Sequence, residues 1–247
     1  FADVHNVSAV VGTNYETGHY KFVEPSGRDL TSEVLNDLSL STGEKSVKSS
    51  QNEFALMGYF ARLSYDYNGR YLVEANMRYD GTSRFPRNHR WGFFPSLALG
   101  WRISEEAFFA PVRPVVSNLK LRASLGSLGN QITDNAKKFN KNTFYPYMRL
   151  ITLANTTTLN YIFDNAQATY ASLGDPTSGS LTWETIVTQN VGLDVGLFNN
   201  RLSLALDVYS RTTKDMLAAA RALPAVYGYN APYENNGELR TNGFELV

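Results

Sequence analysis

Cysteine is missing from the 247-residue chain, which removes disulfides, thiolate chemistry and cysteine-based zinc sites together. The absence permits an oxidising compartment without requiring one. An excess of charge is also missing, since 23 Lys and Arg balance 23 Asp and Glu. There is therefore neither the basic footprint that nucleic-acid binding needs nor an acidic tail, and nucleic acid is not an expected partner. Histidine is scarce: His5, His19 and His89 lie in different segments, with no metal-binding His-x-x-x-His or Glu-x-x-His spacing, no Gly-x-Ser-x-Gly elbow and no phosphate loop. The expectation is a protein with no catalytic residues, no cofactor and no bound metal. No apolar run approaches the 18 residues of a transmembrane helix, but this excludes only helices, because the strands of a membrane barrel alternate. The chain starts at Phe1 without a basic-then-apolar leader, so any secretory signal is expected to have been removed or to lie outside this segment.

Aromatic residues are plentiful, with 15 Tyr and 14 Phe, and they sit in alternating runs. In residues 70–80, Tyr71, Val73, Ala75, Met77 and Tyr79 share one face, while most of the intervening positions are charged or amide. That is a strand with one apolar and one wet face, and its eleven residues match the roughly 9–11 that a tilted strand needs to cross a bilayer. The same alternation runs through 56–67, 94–103, 119–126, 188–198 and 201–210. Asn68-Gly69 separates the first pair of runs, and Asn-Gly is the strongest short hairpin signal because both central residues of a type I′ turn need positive φ. Asn199-Asn200 marks a second tight hairpin.

Connection lengths alternate between short (68–69, 199–200) and long (16–54, 81–93, 127–182, 211–242), with an intermediate one at 104–118. In outer-membrane barrels short turns lie at the periplasmic end and long loops outside. The intermediate connection reads as a brief helical turn started by Ser104 and broken by Pro111 and Pro114, and a further strand pair is suggested around 158–166. A soluble, sugar-binding β-sandwich also alternates, but its strands are typically about 5–6 residues long, whereas these approach ten and carry aromatics at their ends. A small passive outer-membrane barrel, porin or anchor, is the other alternative.

Several longer strings go beyond periodicity. YFARLSYDYNGRYLVEANMRYDGTSRF (59–85), WGFFPSLALGWRISEEAFF (91–109), NLKLRASLGSLGNQ (118–131), DVYSRTTKDML (207–217) and NNGELRTNGFEL (235–246) together closely resemble the SusC/RagA-like family of TonB-dependent outer-membrane transporters. The resemblance implies an all-β, antiparallel transmembrane barrel segment from a 22-stranded barrel of the Gram-negative outer membrane. Its amino-terminal plug is not recognisable in this chain, so 1–247 is expected to be a partial barrel domain. It further implies active import of a nutrient such as an oligosaccharide or peptide, a SusD-like surface lipoprotein as lid, and a TonB complex acting through regions absent here.

Candidate contacts for substrate or lid follow the Asp80-Gly81 turn: Arg84, Arg87, His89, Arg90 and Trp91, joined by Tyr145, Tyr147 and Tyr161 in the longest loop. Guanidinium forks and aromatic faces are the groups that hold sugars and carboxylates, although Trp91 is equally placed to be a membrane-girdle residue. Arg62, Glu74, Arg78, Asp194 and Asp207 occupy the wet phase of the strands and are expected to line the lumen. Asp66 to Gly69 faintly matches the start of a calcium loop, but a hairpin turn explains it.

Overall fold

A computed structural model describes residues 4–247 except 33, 36, 132–143, 155–161, 164, 165, 168, 169 and 222. Its strands in chain order are β1 (His5–Gly27), β2 (Lys45–Tyr67), β3 (Tyr71–Thr82), β4 (Trp91–Arg102) and β5 (Val116–Asn130). The short β6 (Ile151–Ala154), β7 (Ile162–Phe163), β8 (Ala166–Gln167) and β9 (Tyr170–Leu173) follow, and then β10 (Glu184–Leu197), β11 (Leu202–Ala219) and β12 (Tyr233–Leu246). Eight strands form one antiparallel meander in the order β1-β2-β3-β4-β5-β10-β11-β12, and the short strands pair separately as β6-β9 and β7-β8. The strand pair expected around 158–166 thus corresponds in part to β7-β8. No second sheet covers the meander among the described residues, which removes the β-sandwich reading. The meander is open, because β1 and β12 each pair on one side only.

Register explains why one face is apolar throughout. Tyr65 pairs with Val7 and Val73, and Val73 pairs with Leu99; Leu99 then pairs with Ala123, Ala123 with Val191, and Val191 with Val208. Since side chains alternate with period two, one aligned row fixes every other row on that face. The result is a continuous apolar surface that stays exposed: Val11 is 83%, Met77 50%, Leu97 44% and Val208 55% exposed. Aromatic rows bound it. At the turn end Tyr67 stacks on Tyr71 and Tyr71 on Trp101, at 6.2 and 6.4 Å between centroids. At the loop end Tyr79 and Tyr59 stack on Trp91, at 4.8 and 6.2 Å. Trp91 and Trp101 lie ten residues apart on β4; at about 3.3 Å per residue and a tilt near 40°, that separates the rows by about 25 Å, the height of a lipid-facing band.

The turn end is tight. Asn68 (φ 53°) and Gly69 (φ 67°) both adopt positive φ, Arg70 N–H donates to the Tyr67 carbonyl at 2.9 Å, and Gly69 N–H donates to Asp66 Oδ1 at 2.7 Å. Asp66 is thus a turn-closing acceptor. At the second hairpin Phe198, Asn199 and Asn200 all have positive φ, so the turn takes in Phe198 as well as the Asn-Asn pair. The 103–115 connection holds two 3-10 turns, Ile103–Glu105 and Ala107–Phe109. Ser104 lies inside the first of them, 1% exposed, and does not cap a helix.

The expected loops are corrected at the other end. The 16–54 loop contracts to the connection between Gly27 and Lys45, 81–93 to that between Thr82 and Trp91, and 211–242 to that between Ala219 and Tyr233. The 127–182 loop begins only after Asn130 and carries β6 to β9. At 16–54 β pairing continues after the hydrophobic alternation has stopped, as in the full pairing of His19 with Glu53 through Gly27 with Lys45, whereas at 81–93 Trp91 and Phe93 keep the apolar phase of β4. Ladder hydrogen bonds are local to the backbone and need no apolar face. Outside lipid neither face has to be apolar.

Candidate functional site

The face opposite the aromatic rows is charged, and its side chains are paired across strands. Arg122 reaches from β5 to β10, donating to Asp194 through Nε and Nη2 at 2.9 Å each, and Nη2 also donates to Asp207 of β11 at 3.0 Å. Gly192 makes this crossing possible: it pairs with both Arg122 and Asp207, and a Cβ there would lie 2.8 Å from the guanidinium carbon. Nearer the other edge, Arg62 Nε donates to Asn76 at 2.7 Å, while Asn76 Nδ2 and Ser64 Oγ donate to Glu74 at 2.9 and 3.1 Å. Arg78 forms a bidentate pair with Asp80, both bonds 2.9 Å. Arg62, Glu74, Arg78, Asp194 and Asp207 therefore all sit on the polar face, in three networks. Periodicity alone does not mark Arg122 as the hub, because its two aspartates lie 72 and 85 residues away and only register brings them together.

At the loop end the polar side of the sheet carries a small dry core of Phe85, Phe94, Leu181, Trp183 and Leu217, with Tyr147 and Tyr233 packed against it. Trp183 meets Phe85 and Phe94 edge to face at 5.6 and 5.5 Å, and its indole N–H donates to the Arg90 carbonyl at 2.8 Å. Beside it the buried Glu184 accepts from Leu217 N–H at 3.2 Å and from Asn130 Nδ2 at 2.9 Å. Asn235 exchanges hydrogen bonds with the Thr182 backbone, both 3.0 Å, and donates to the Asp215 carbonyl at 2.7 Å. Asp215 has φ 56° and lies where the β11–β12 register shifts, so Asn235 satisfies backbone that a bulge leaves unpaired.

The expected contact residues divide over these features. The Arg84 guanidinium lies over Phe54 at 4.6 Å and Phe144 at 5.7 Å, and burial pushes its pKa below the usual arginine range. Arg90 is a strut of the rim, its Nε donating to the Phe85 carbonyl at 3.1 Å. His89 offers its carbonyl to Thr182 Oγ1 at 3.4 Å, whereas Arg87 is exposed on the 3-10 turn Arg87–His89. Tyr145 donates its hydroxyl to the Glu53 carbonyl and meets Tyr147 edge to face at 6.3 Å. Trp91 is on the apolar face, 42% exposed, stacked with Tyr59 and Tyr79, in the strand phase opposite the charged networks. Tyr161 lies outside the described residues. The rim core escaped sequence reading because Leu181 and Trp183 lie in a stretch without periodicity, and their partners come from β4, β11 and the 83–90 segment.

An open antiparallel meander with a 25 Å apolar band between aromatic rows, backed by a paired-charge face, is the wall of a transmembrane β-barrel. The chain belongs to the TonB dependent receptor-like, β-barrel family, which matches residues 2–247, a family of outer-membrane receptors and not of enzymes. It is 37% identical over 228 residues to the TonB-dependent receptor SusC of Bacteroides thetaiotaomicron, covering 91% of this chain and 21% of that protein. It is 33% identical over 247 residues to a TonB-dependent receptor of Formosa agariphila, covering 98% and 23%. Among solved structures it matches the RagAB peptide transporter with a TM-score of 0.82 and 28% identity, covering 98% of this chain and 25% of that one. The siderophore receptor PirA of Acinetobacter baumannii, at 15% identity and a TM-score of 0.56 over 97% of this chain and 31% of its own, shares the fold. The SusC/RagA-like resemblance therefore stands, and the chain spans about a quarter of the length of these SusC- and RagA-type relatives.

Proposed function

We propose that these eight strands are part of the wall of an outer-membrane importer that takes up an oligosaccharide or peptide and is driven by a TonB-type motor acting on a plug in a 22-stranded barrel. The observation that carries this reading is the pairing of faces over the whole meander: the apolar band is suited to lipid, and the charged networks around Arg122, Glu74 and Arg78 are suited to a wetted lumen or a plug surface. Similarity to the RagAB peptide transporter supports a peptide as substrate, and the oligosaccharide rests on the SusC/RagA-like resemblance. In this reading the loop end of the sheet faces outward, where a SusD-like lipoprotein and the substrate would approach. Arg84, Arg87, His89, Tyr145, Tyr147 and Tyr161 remain the substrate or lid candidates.

The test uses the full-length protein in its own outer membrane. Uptake of fluorescent oligosaccharides and peptides is measured with and without the TonB-type motor. Accumulation of one class that is lost without the motor is the expected result. Uptake that persists unchanged without it would favour the passive barrel.

A further inference from the structure

At the turn end the 103–115 connection does more than join β4 to β5. Glu106 folds back onto the apolar face, where it accepts hydrogen bonds from the Tyr71 hydroxyl at 2.6 Å and from the Trp101 indole N–H at 3.0 Å. Arg70 lies 3.5 Å from its other oxygen. Tyr71 and Trp101 belong to the lower aromatic row, so this carboxylate fastens the connection against the lipid side of the wall. A second clasp runs from Arg113 Nε to the Ser104 carbonyl at 3.0 Å. Together with the burial of Phe109 and Ser104, it gives the connection a defined shape. Beside the exposed ion pair of Arg113 and Glu105 at 3.4 Å, apolar side chains also remain exposed: Phe108 is 66%, Val115 54%, Val112 46% and the neighbouring Phe198 54% exposed. Phe198 N–H donates to the Val115 carbonyl at 2.9 Å, joining the second hairpin turn to the same patch.

We propose that this patch is an interfacial anchor, a surface of Phe108, Val112, Val115 and Phe198 that sits in the headgroup and acyl boundary of the inner leaflet of the outer membrane. The proposal rests on the barrel reading. Its partner is phospholipid, because Glu106 fastens the connection to Tyr71 and Trp101 of the lipid-facing aromatic row. Exposed aromatic and aliphatic side chains at that depth settle about 5–10 Å into the boundary. A plain two-residue turn would need no such surface. The length of this connection, unusual at the turn end, then has a use: it widens the grip of the wall on one leaflet.

The experiment places single spin labels in the full-length protein reconstituted in phospholipid nanodiscs and compares collisions with oxygen, which concentrates in lipid, against a water-soluble nickel chelate. Phe108→Cys is the reporter and Val112→Cys reads the same layer should the first variant fail to assemble. Asn199→Cys at the adjacent turn is the aqueous reference, and Leu97→Cys in the middle of the band is the lipid reference. The expected result is an oxygen-to-nickel ratio at Phe108 and Val112 several-fold above that at Asn199. Equality with Asn199, with Leu97 still in lipid, overturns the anchor alone. A water-like signal at Leu97 overturns the barrel reading itself. Protection from both probes at Phe108 also overturns the anchor, because it means protein covers the patch.

Discussion

Phe93 and Phe94 are neighbours on one strand, yet Phe93 is 58% exposed and Phe94 only 6%. Trp91 and Trp183 repeat the contrast at 42% and 6%. The first of each pair belongs to the apolar band and the second to the rim core. The band buries almost nothing within the chain, so its residues are aromatic and aliphatic for the sake of an outside solvent, and its order is set by strand pairing. The rim core is a conventional dry cluster that pins irregular segments to the polar side of the sheet. Side-chain chemistry is the same in both places; what differs is what lies across from it.

Substitutions that respect this division should have unequal effects. The largest is expected for Trp183→Ala, which removes a buried ring and the bond to the Arg90 carbonyl. Large-to-small core changes of this type cost about 3–5 kcal/mol, read as faster protease cleavage in the 83–90 segment, whereas Trp91→Ala should leave that segment protected. Next is Leu97→Arg in the middle of the band, where a cation facing lipid costs roughly 2–4 kcal/mol. It should lower outer-membrane assembly and heat resistance on gels, while arginine at Ala98, on the opposite face, should be tolerated. Arg122→Ala is expected to cost less, roughly 1 kcal/mol or below, because the Arg122, Asp194 and Asp207 side chains are each between 21% and 34% exposed and such pairs are weak and screened. Denaturant midpoints in low and high salt check this.

The smallest effect concerns Glu106. Hydrogen bonds from Tyr71 and then Trp101 hold its pKa below the ordinary carboxylate value. A lowered folded pKa means that its contribution is fully present above the unfolded value, roughly 4.3, and is lost as pH falls through the folded one. Acidification below about pH 4 should therefore loosen the 103–115 connection, seen as line narrowing of a spin label at Ala110. Glu106→Gln should remove most of that pH dependence.

Much of the band was legible in the sequence, and the reason is physical. Where lipid lies on one side, alternation is forced, so the faces of 56–80, 94–103 and 188–210 could be read residue by residue, and Asn68-Gly69 gave the hairpin through its need for positive φ. The strands were read short because alternation lapses where they leave the membrane: Lys45 to Ala55 pair fully with β1 while presenting polar side chains to both sides. The rim core was not legible, since Phe85, Phe94, Leu181, Trp183 and Leu217 converge from distant segments.

The central claim is that one face of this meander meets lipid and the other does not. Its most direct test is a spin-label scan along β4 from Phe93 to Trp101 in the full-length protein, reconstituted in lipid, with oxygen accessibility read at each position. The account predicts a period of two, with maxima at Phe93, Pro95, Leu97 and Leu99 and minima at Phe94, Ser96, Ala98 and Gly100. A flat profile, or maxima at the even positions, would contradict it.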